Sequence, residues 1–269
     1  MRLAGVADKF YAIFRRDLLT ALRYPGASWM LVVSMLAELA SFYYLSRAIG
    51  PRFRPDGMDY FPFLLVGTSF YSYLLAAASG LVSNIREAQT TGTIEVLMTS
   101  STSAPWVVIL SAFSVFLERT LYFALYLAAG FTLVQLPAEG INLLGCAAVF
   151  LLSLVLSVAL GIGAAALQIT LQRGGSAVWL FGLASSLLTG TMFPISALPA
   201  PIQKVSAMIP FTYSINGLRR ALLTGGSLTE LAPSLLVLSG FALLLLPASI
   251  LLLSRALRHA RYAGTLSFY

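Results

Sequence analysis

An all-α polytopic membrane protein is the fold class this sequence predicts, and three observations carry that prediction. Of 269 residues, 58% are hydrophobic and only 10% charged, whereas an ordinary soluble domain carries about 25% charged residues. The apolar residues gather into runs near the roughly 20 residues that a bilayer span needs, and about six such runs fit, leaving little for a separate soluble domain. The basic residues flank these runs, where they face headgroup phosphates and set topology. A net charge of +7 would point to nucleic acid in a soluble protein; here it points to membrane lipids, and nucleic acid is not expected.

Residues 1–26 read as an amphipathic helix lying along the cytoplasmic membrane surface. Phe10, Ile13, Phe14, Leu18, Ala21 and Leu22 recur at i, i+3, i+4 spacing, while Lys9, Arg15, Arg16 and Thr20 fall elsewhere on the wheel. Charges spread through this stretch break any signal-peptide pattern, so it is expected to be retained. A six-span transmembrane domain follows over residues 27–254. Its first span is Ala27 to Ile49, interrupted by Glu38, and its second is Tyr60 to Ser83. The polar segment 84–104 leads to a long third span, Pro105 to Leu136, with Glu118 and Arg119 near its middle. The fourth runs from Asn142 to Leu171. After a turn at Gln172 to Gly175, the fifth starts at Ser176 and breaks near Phe193 and Pro194. The sixth spans Leu231 to Ser254, and residues 255–269 form a tail.

Orientation follows from the distribution of Lys and Arg. Arg2, Lys9, Arg15, Arg16, Arg23, Arg86, Arg173, Arg255, Arg258 and Arg261 fall on one side of this layout, against Arg47, Arg52, Arg54, Lys204, Arg219 and Arg220 on the other. Both termini are therefore expected in the cytoplasm, with the chain multi-pass in the cell's inner (plasma) membrane.

Two segments carry most of the functional information. Residues 190–226 hold Pro194, Pro199, Pro201 and Pro210 yet stay mostly apolar. Proline removes a backbone donor and clashes with the preceding turn, so no single helix passes through. Short half-helices dipping into the outer leaflet, a re-entrant hairpin before the last span, fit that composition; an ordinary extracellular loop is the plainer alternative. In 84–104, Gly92 breaks the chain, Thr93 can cap a short helix, and Ile94, Val96, Leu97 and Met98 give it an apolar patch suited to docking. A simple surface connector would need no such cluster.

These residues also carry a resemblance. Arg86-Glu87 leading to Gly92-Thr93-Ile94-Glu95-Val96-Leu97 and Thr99-Ser100 resembles a stretch of the type-2 ATP-binding-cassette (ABC) exporter permeases. Phe193-Pro194 through Leu198-Pro199, then Pro210-Phe211-Thr212-Tyr213 and Arg219, resembles that family's second signature. Both stand in the expected order, although Ser100 and Ser101 occupy positions where the family commonly has a proline. The resemblance implies an ATPase-coupling site at Arg86, Glu87, Gly92, Thr93, Ile94, Glu95 and Leu97, and an extracellular gate at Phe193, Pro194, Leu198, Pro199, Pro210, Tyr213 and Arg219. It also implies a permease that pairs with a second copy of itself or a homologous permease, and that binds separate cytoplasmic ABC ATPase subunits.

The chain is not expected to be an enzyme. A Walker A motif needs Gly followed by Lys, and the only lysines, Lys9 and Lys204, follow Asp8 and Gln203. ATP and Mg would be bound by the partner ATPase, with no cofactor and no metal in this chain. No His or Cys has a partner at catalytic spacing; His259 is in the tail, and Cys146 lies inside an apolar run as a packing residue.

Glu38, Glu118 and Arg119 fall 11, 13 and 14 residues into their spans, or roughly 17 to 21 Å deep at 1.5 Å per residue. An unpaired charge there is costly, so a Glu38–Arg119 pair is expected, with a substrate or proton role as the alternative. Phe42, Tyr43, Tyr44, Tyr60, Phe61 and Phe63 fall near the outer ends of the first two spans and read as an interfacial aromatic belt, or as a stacking ledge for sugar rings. The functional expectation is export of an amphipathic substrate, a lipid, lipid-linked glycan or drug, powered by separate ATPases. A non-transporting docking or assembly subunit is the alternative.

Overall fold

A computed structural model of the chain describes residues 25–90, 116, 119–132, 140–171 and 173–263. The expected interface helix, Glu118 and the coupling residues Gly92, Thr93, Ile94, Glu95 and Leu97 lie outside the described residues. All regular structure within them is helical. Three helices are long and apolar enough to cross a membrane, over Tyr60–Glu87, Leu143–Leu171 and Leu228–Ala260.

Helix α1, Pro25–Ile49, matches the first expected span. Proline suits its start, and Gly50, at φ +88°, ends it by donating its N–H back to Ser46. A 3-10 turn at Pro55–Gly57 then leads into α2, Tyr60–Thr90. This helix runs past the expected end at Ser83, so Arg86 and Glu87 belong to its last turns. Residues 119–132 form α3. Helix α4, Leu143–Leu171, is capped by Asn142, whose Oδ1 accepts the Gly145 N–H at 2.9 Å.

Helix α5 covers only Gly174–Leu188. Its 15 residues reach about 22 Å, short of a bilayer core of about 30 Å. The chain then breaks into a 3-10 turn at Ile195–Ala197, α6 at Ala200–Ser206 and α7 at Pro210–Leu223. Prolines stand at the start of both helices, where the missing donor costs nothing. Helix α8, Leu228–Ala263, opens on a capping box: Ser227 Oγ accepts from the Glu230 N–H and Glu230 Oε2 from the Ser227 N–H. It continues past the expected end at Ser254.

Helix α2 is the centre of the bundle. Phe63, Leu64, Leu65, Val66, Phe70, Leu74 and Leu81 on it are fully buried. It packs against α1, α4, α5 and α7, while α8 packs mainly on α4 and leaves Leu236, Leu243 and Leu244 exposed. Small residues bring α2 and α4 together: a Cβ on Gly161 would lie 2.8 Å from the Ala78 carbonyl oxygen, the close approach that lipid-embedded helices rely on. Phe70 and Tyr73 of α2, Phe123 of α3 and Phe150 of α4 stack with ring centroids 5.2 to 6.2 Å apart.

The expected aromatic belt is corrected by this packing. Phe42, Tyr60, Phe61 and Phe63 are buried in a core shared by α1, α2 and α3, and only Tyr44 of the six is largely exposed. The hydropathy pattern is the same for an interfacial ring and a packed one; the neighbouring helices decide between them.

Candidate functional site

Two polar regions stand out in this apolar bundle, one at the end of α2 that begins with Tyr60 and one within its length. The first is built around the break after α5. Gly190 takes φ +75°, a conformation that a residue with a Cβ adopts only at a cost, and it turns the chain away from α5. Ser206 Oγ donates back to the Leu188 carbonyl at 2.6 Å, and Thr212 Oγ1 donates to the Ser206 carbonyl at 2.8 Å. Tyr213 Oη donates to the Ala207 carbonyl at 3.0 Å. These bonds hold α6 and α7 against the end of α5 as one folded unit.

Arg219 locks that unit to α2. Its side chain is 1% exposed. Nε donates to the Phe63 carbonyl at 3.0 Å, Nη1 to Gly190 at 2.7 Å and Nη2 to Thr191 at 2.6 Å, and the guanidinium lies 3.4 Å from the centre of the Phe63 ring. Sequence reasoning placed Arg219 at the gate but left it free to reach headgroups with Lys204 and Arg220. That expectation is corrected: Lys204 and Arg220 are exposed, and Arg219 is enclosed. The reason is geometric. Gly67 on α2 has no side chain, and a Cβ there would stand 1.8 Å from Arg219 Nη2, so the glycine opens the slot that the guanidinium fills.

Of the other expected gate residues, Pro194 and Pro210 are buried, Phe193, Leu198 and Tyr213 are half-buried, and Pro199 is exposed. Tyr60 was not among them, yet its hydroxyl donates to the Met192 carbonyl at 3.1 Å and so joins α2 to the same turn. A cavity of about 410 Å³ opens beside Arg219, lined also by Asp56, Asn216, Arg220 and Glu230.

Helices α2 and α5 are joined at two further levels. Midway, Tyr71 Oη bonds the Gly182 carbonyl and lies 2.8 Å from Ser185 Oγ. At the far end the link runs through α4, where Gln168 Oε1 accepts the Gly174 N–H at 2.9 Å while its Nε2 donates to Gln89 Oε1 at 3.4 Å. Hydrogen bonds, with Gln168 of α4 as the bridge at one end, thus tie α2 and α5 together from the last turn of α2, which is itself the start of the segment 84–104, to the turn that Arg219 holds.

The second polar region is a cavity of about 90 Å³ between α1, α2 and α3, lined by Glu38, Ser69, Ser72, Arg119 and Tyr126 among others. Glu38 and Arg119 do face one cavity, but no ion pair joins them, and Arg119 Nε is buried without a hydrogen-bond partner among the described residues. The expected direct pair is therefore not formed. A polar cavity of this size has room for water, which would weaken the coupling between the two charges by separating them. In unfolding free energy, the double change Glu38→Gln with Arg119→Gln is accordingly expected to stay within about 1 kcal/mol of the sum of the two single changes, the low end of the coupling between residues that share a cavity. A double variant much more stable than that sum, measured by thermal unfolding in detergent, would restore the direct pair.

The described helices thus show long apolar spans, a proline-broken segment folded back before the last of them, and a buried arginine holding it. A family model described as ABC-2 family transporter protein matches residues 40–251. This chain belongs to that family. The match includes both segments that the sequence singled out, 84–104 and 190–226. No curated protein matches the chain. As an ABC-2 permease it is a membrane-embedded subunit of an ABC transporter, and its family implies association with ABC ATPase subunits. In the permease, the bonded pair α2 and α5 connects the segment expected to meet an ATPase with the Arg219-held turn at the other end.

Proposed function

We propose that this permease exports an amphipathic substrate, a lipid, lipid-linked glycan or drug, out of the cytoplasm, working as a dimer with itself or a homologue. Its six spans lie in the inner membrane with both termini cytoplasmic, and separate ATPase subunits bind and hydrolyse MgATP. The observation that carries the reading is the match to the ABC-2 family over most of the chain. The continuity from α2 to the α5 turn supports it, because a permease driven from one face must transmit movement to the other.

The ATPase would dock on residues 84–104 through Ile94 and Leu97. Changing either to Asp buries a charge in that contact, and is expected to abolish substrate-stimulated ATP hydrolysis in the reconstituted complex while the permease still elutes as a folded species in detergent. Stimulation equal to that of the unchanged complex would remove the docking role.

The hairpin over residues 190–226 would dip into the outer leaflet and cap the exit. Ile202, Val205 and Met208 are exposed in the isolated chain, so lipid or a partner protomer would have to cover them. In a Cys146→Ala background, single cysteines at 202, 205 and 209 are expected to react slowly with an impermeant external maleimide, and a cysteine at 225 quickly. Labelling at all three as fast as at position 56 would make the segment an ordinary solvated loop.

A further inference from the structure

The cavity beside Arg219 carries charges of both signs that do not meet. Asp56 comes from the 3-10 turn before α2, Arg219 and Arg220 from α7, and Glu230 from the first turn of α8. Two cations and two carboxylates therefore line one space of about 410 Å³, yet no ion pair joins any of the four. Two of them are fixed elsewhere, while Asp56 and Arg220 are exposed. Arg219 is held by three backbone carbonyls and Glu230 by the capping box with Ser227. Asn216 adds an amide that can donate or accept.

Opposite charges side by side would be expected to close on one another; here the three carbonyls hold the Arg219 guanidinium and the capping box holds the Glu230 carboxylate, so these two stay apart. The size lies within the range of small-molecule sites. A purely anionic ligand would meet the two carboxylates, and a purely cationic one the two arginines. A ligand bearing both charges a few bonds apart satisfies all four.

We propose that this cavity binds a zwitterionic phosphate–ammonium group of the kind carried by phosphoethanolamine, the phosphate toward Arg219 and Arg220 and the ammonium toward Asp56 and Glu230. Arginine's planar fork suits phosphate oxygens. Arg219, 1% exposed and bound to its three carbonyls, contributes its charge beside the phosphate, and exposed Arg220 supplies the free donors. The group can come from a phospholipid headgroup or from a soluble zwitterion, and the proposal does not depend on the direction or substrate of transport.

The test uses the full-length permease purified in a maltoside detergent, without an ATPase. Glycerophosphoethanolamine is expected to raise the unfolding temperature in a saturable, concentration-dependent way. Inorganic phosphate alone and ethanolamine alone should each bind at least tenfold more weakly. Arg220→Gln and Asp56→Asn, at two exposed positions, should leave the ligand-free unfolding temperature unchanged and weaken binding of the zwitterion at least tenfold; asparagine keeps the left-handed backbone at position 56. Nanodiscs of phosphatidylglycerol with and without phosphatidylethanolamine then separate the sources. Added stabilisation from phosphatidylethanolamine, lost in both variants, assigns the site to a lipid headgroup; a response to the soluble probe alone assigns it to a soluble zwitterion. No response to either source, a phosphate affinity equal to that of the zwitterion, or a response unchanged in both variants would overturn the proposal.

Discussion

Replacing Arg219 with alanine is expected to lower the unfolding temperature of the purified permease by about 6 to 24 °C. The guanidinium donates to Phe63, Gly190 and Thr191 from a position that is 1% exposed. A hydrogen bond from a charged donor contributes about 1.5–3 kcal/mol, and removing the donor leaves the carbonyls of Gly190 and Thr191 facing a void. Phe63 retains the helical bond within α2, so its loss is smaller. The total is about 3–6 kcal/mol, and in chains of this size each kcal/mol shifts the midpoint by about 2–4 °C. Arg219→Lys should fall between alanine and wild type, since one ammonium cannot reproduce the spread of a guanidinium fork. Arg220→Ala, one residue along and exposed, should change little. Thermal unfolding in detergent, followed by intrinsic fluorescence, separates these cases. A midpoint for Arg219→Ala within 2 °C of wild type would show that the turn is held by other contacts.

The second large effect is expected at Gly67, where the direction of the change is itself diagnostic. In a helix interior, alanine is favoured over glycine by about 1 kcal/mol, so an unobstructed helical glycine gains from the substitution. At Gly67 the new Cβ would stand 1.8 Å from Arg219 Nη2 and 2.7 Å from the Thr191 oxygen. The guanidinium cannot swing aside without losing its carbonyls. Gly67→Ala should therefore destabilise by about 3 kcal/mol, combining overpacking with lost hydrogen bonds. Gly240→Ala in α8, where nothing lies within 4 Å of the added atom, should be neutral or slightly stabilising. In an Arg219→Ala background most of the Gly67→Ala effect should disappear, because the two changes disrupt one contact. Equal effects of Gly67→Ala in both backgrounds would mean that the glycine serves something other than the arginine.

The sequence by itself determined where this chain can cross a membrane and where it must break. Apolar runs located α1, α2, α4 and α8 to within a few residues at most ends, and four prolines between 190 and 226 excluded a continuous helix there. Those signals are local: hydropathy acts over a window about one span long, and proline acts on its own turn. The motifs around Gly92 and Pro194 also pointed to the family that the chain belongs to. Tertiary structure decided what the charged and aromatic residues do inside that layout. Arg219 reads from its neighbours like another headgroup cation, but its partners are backbone carbonyls on two other segments, and a carbonyl leaves no mark in residue type. Glu38 and Arg119 share a depth, yet whether they touch depends on how α1, α2 and α3 rotate about their axes, which depth does not fix. Phe42, Phe61 and Phe63 are apolar enough for an interface or for a core, and they became core because α1 and α3 lie against α2. Such contacts join residues far apart in the chain, and the geometry that selects among them exists only once the helices have packed.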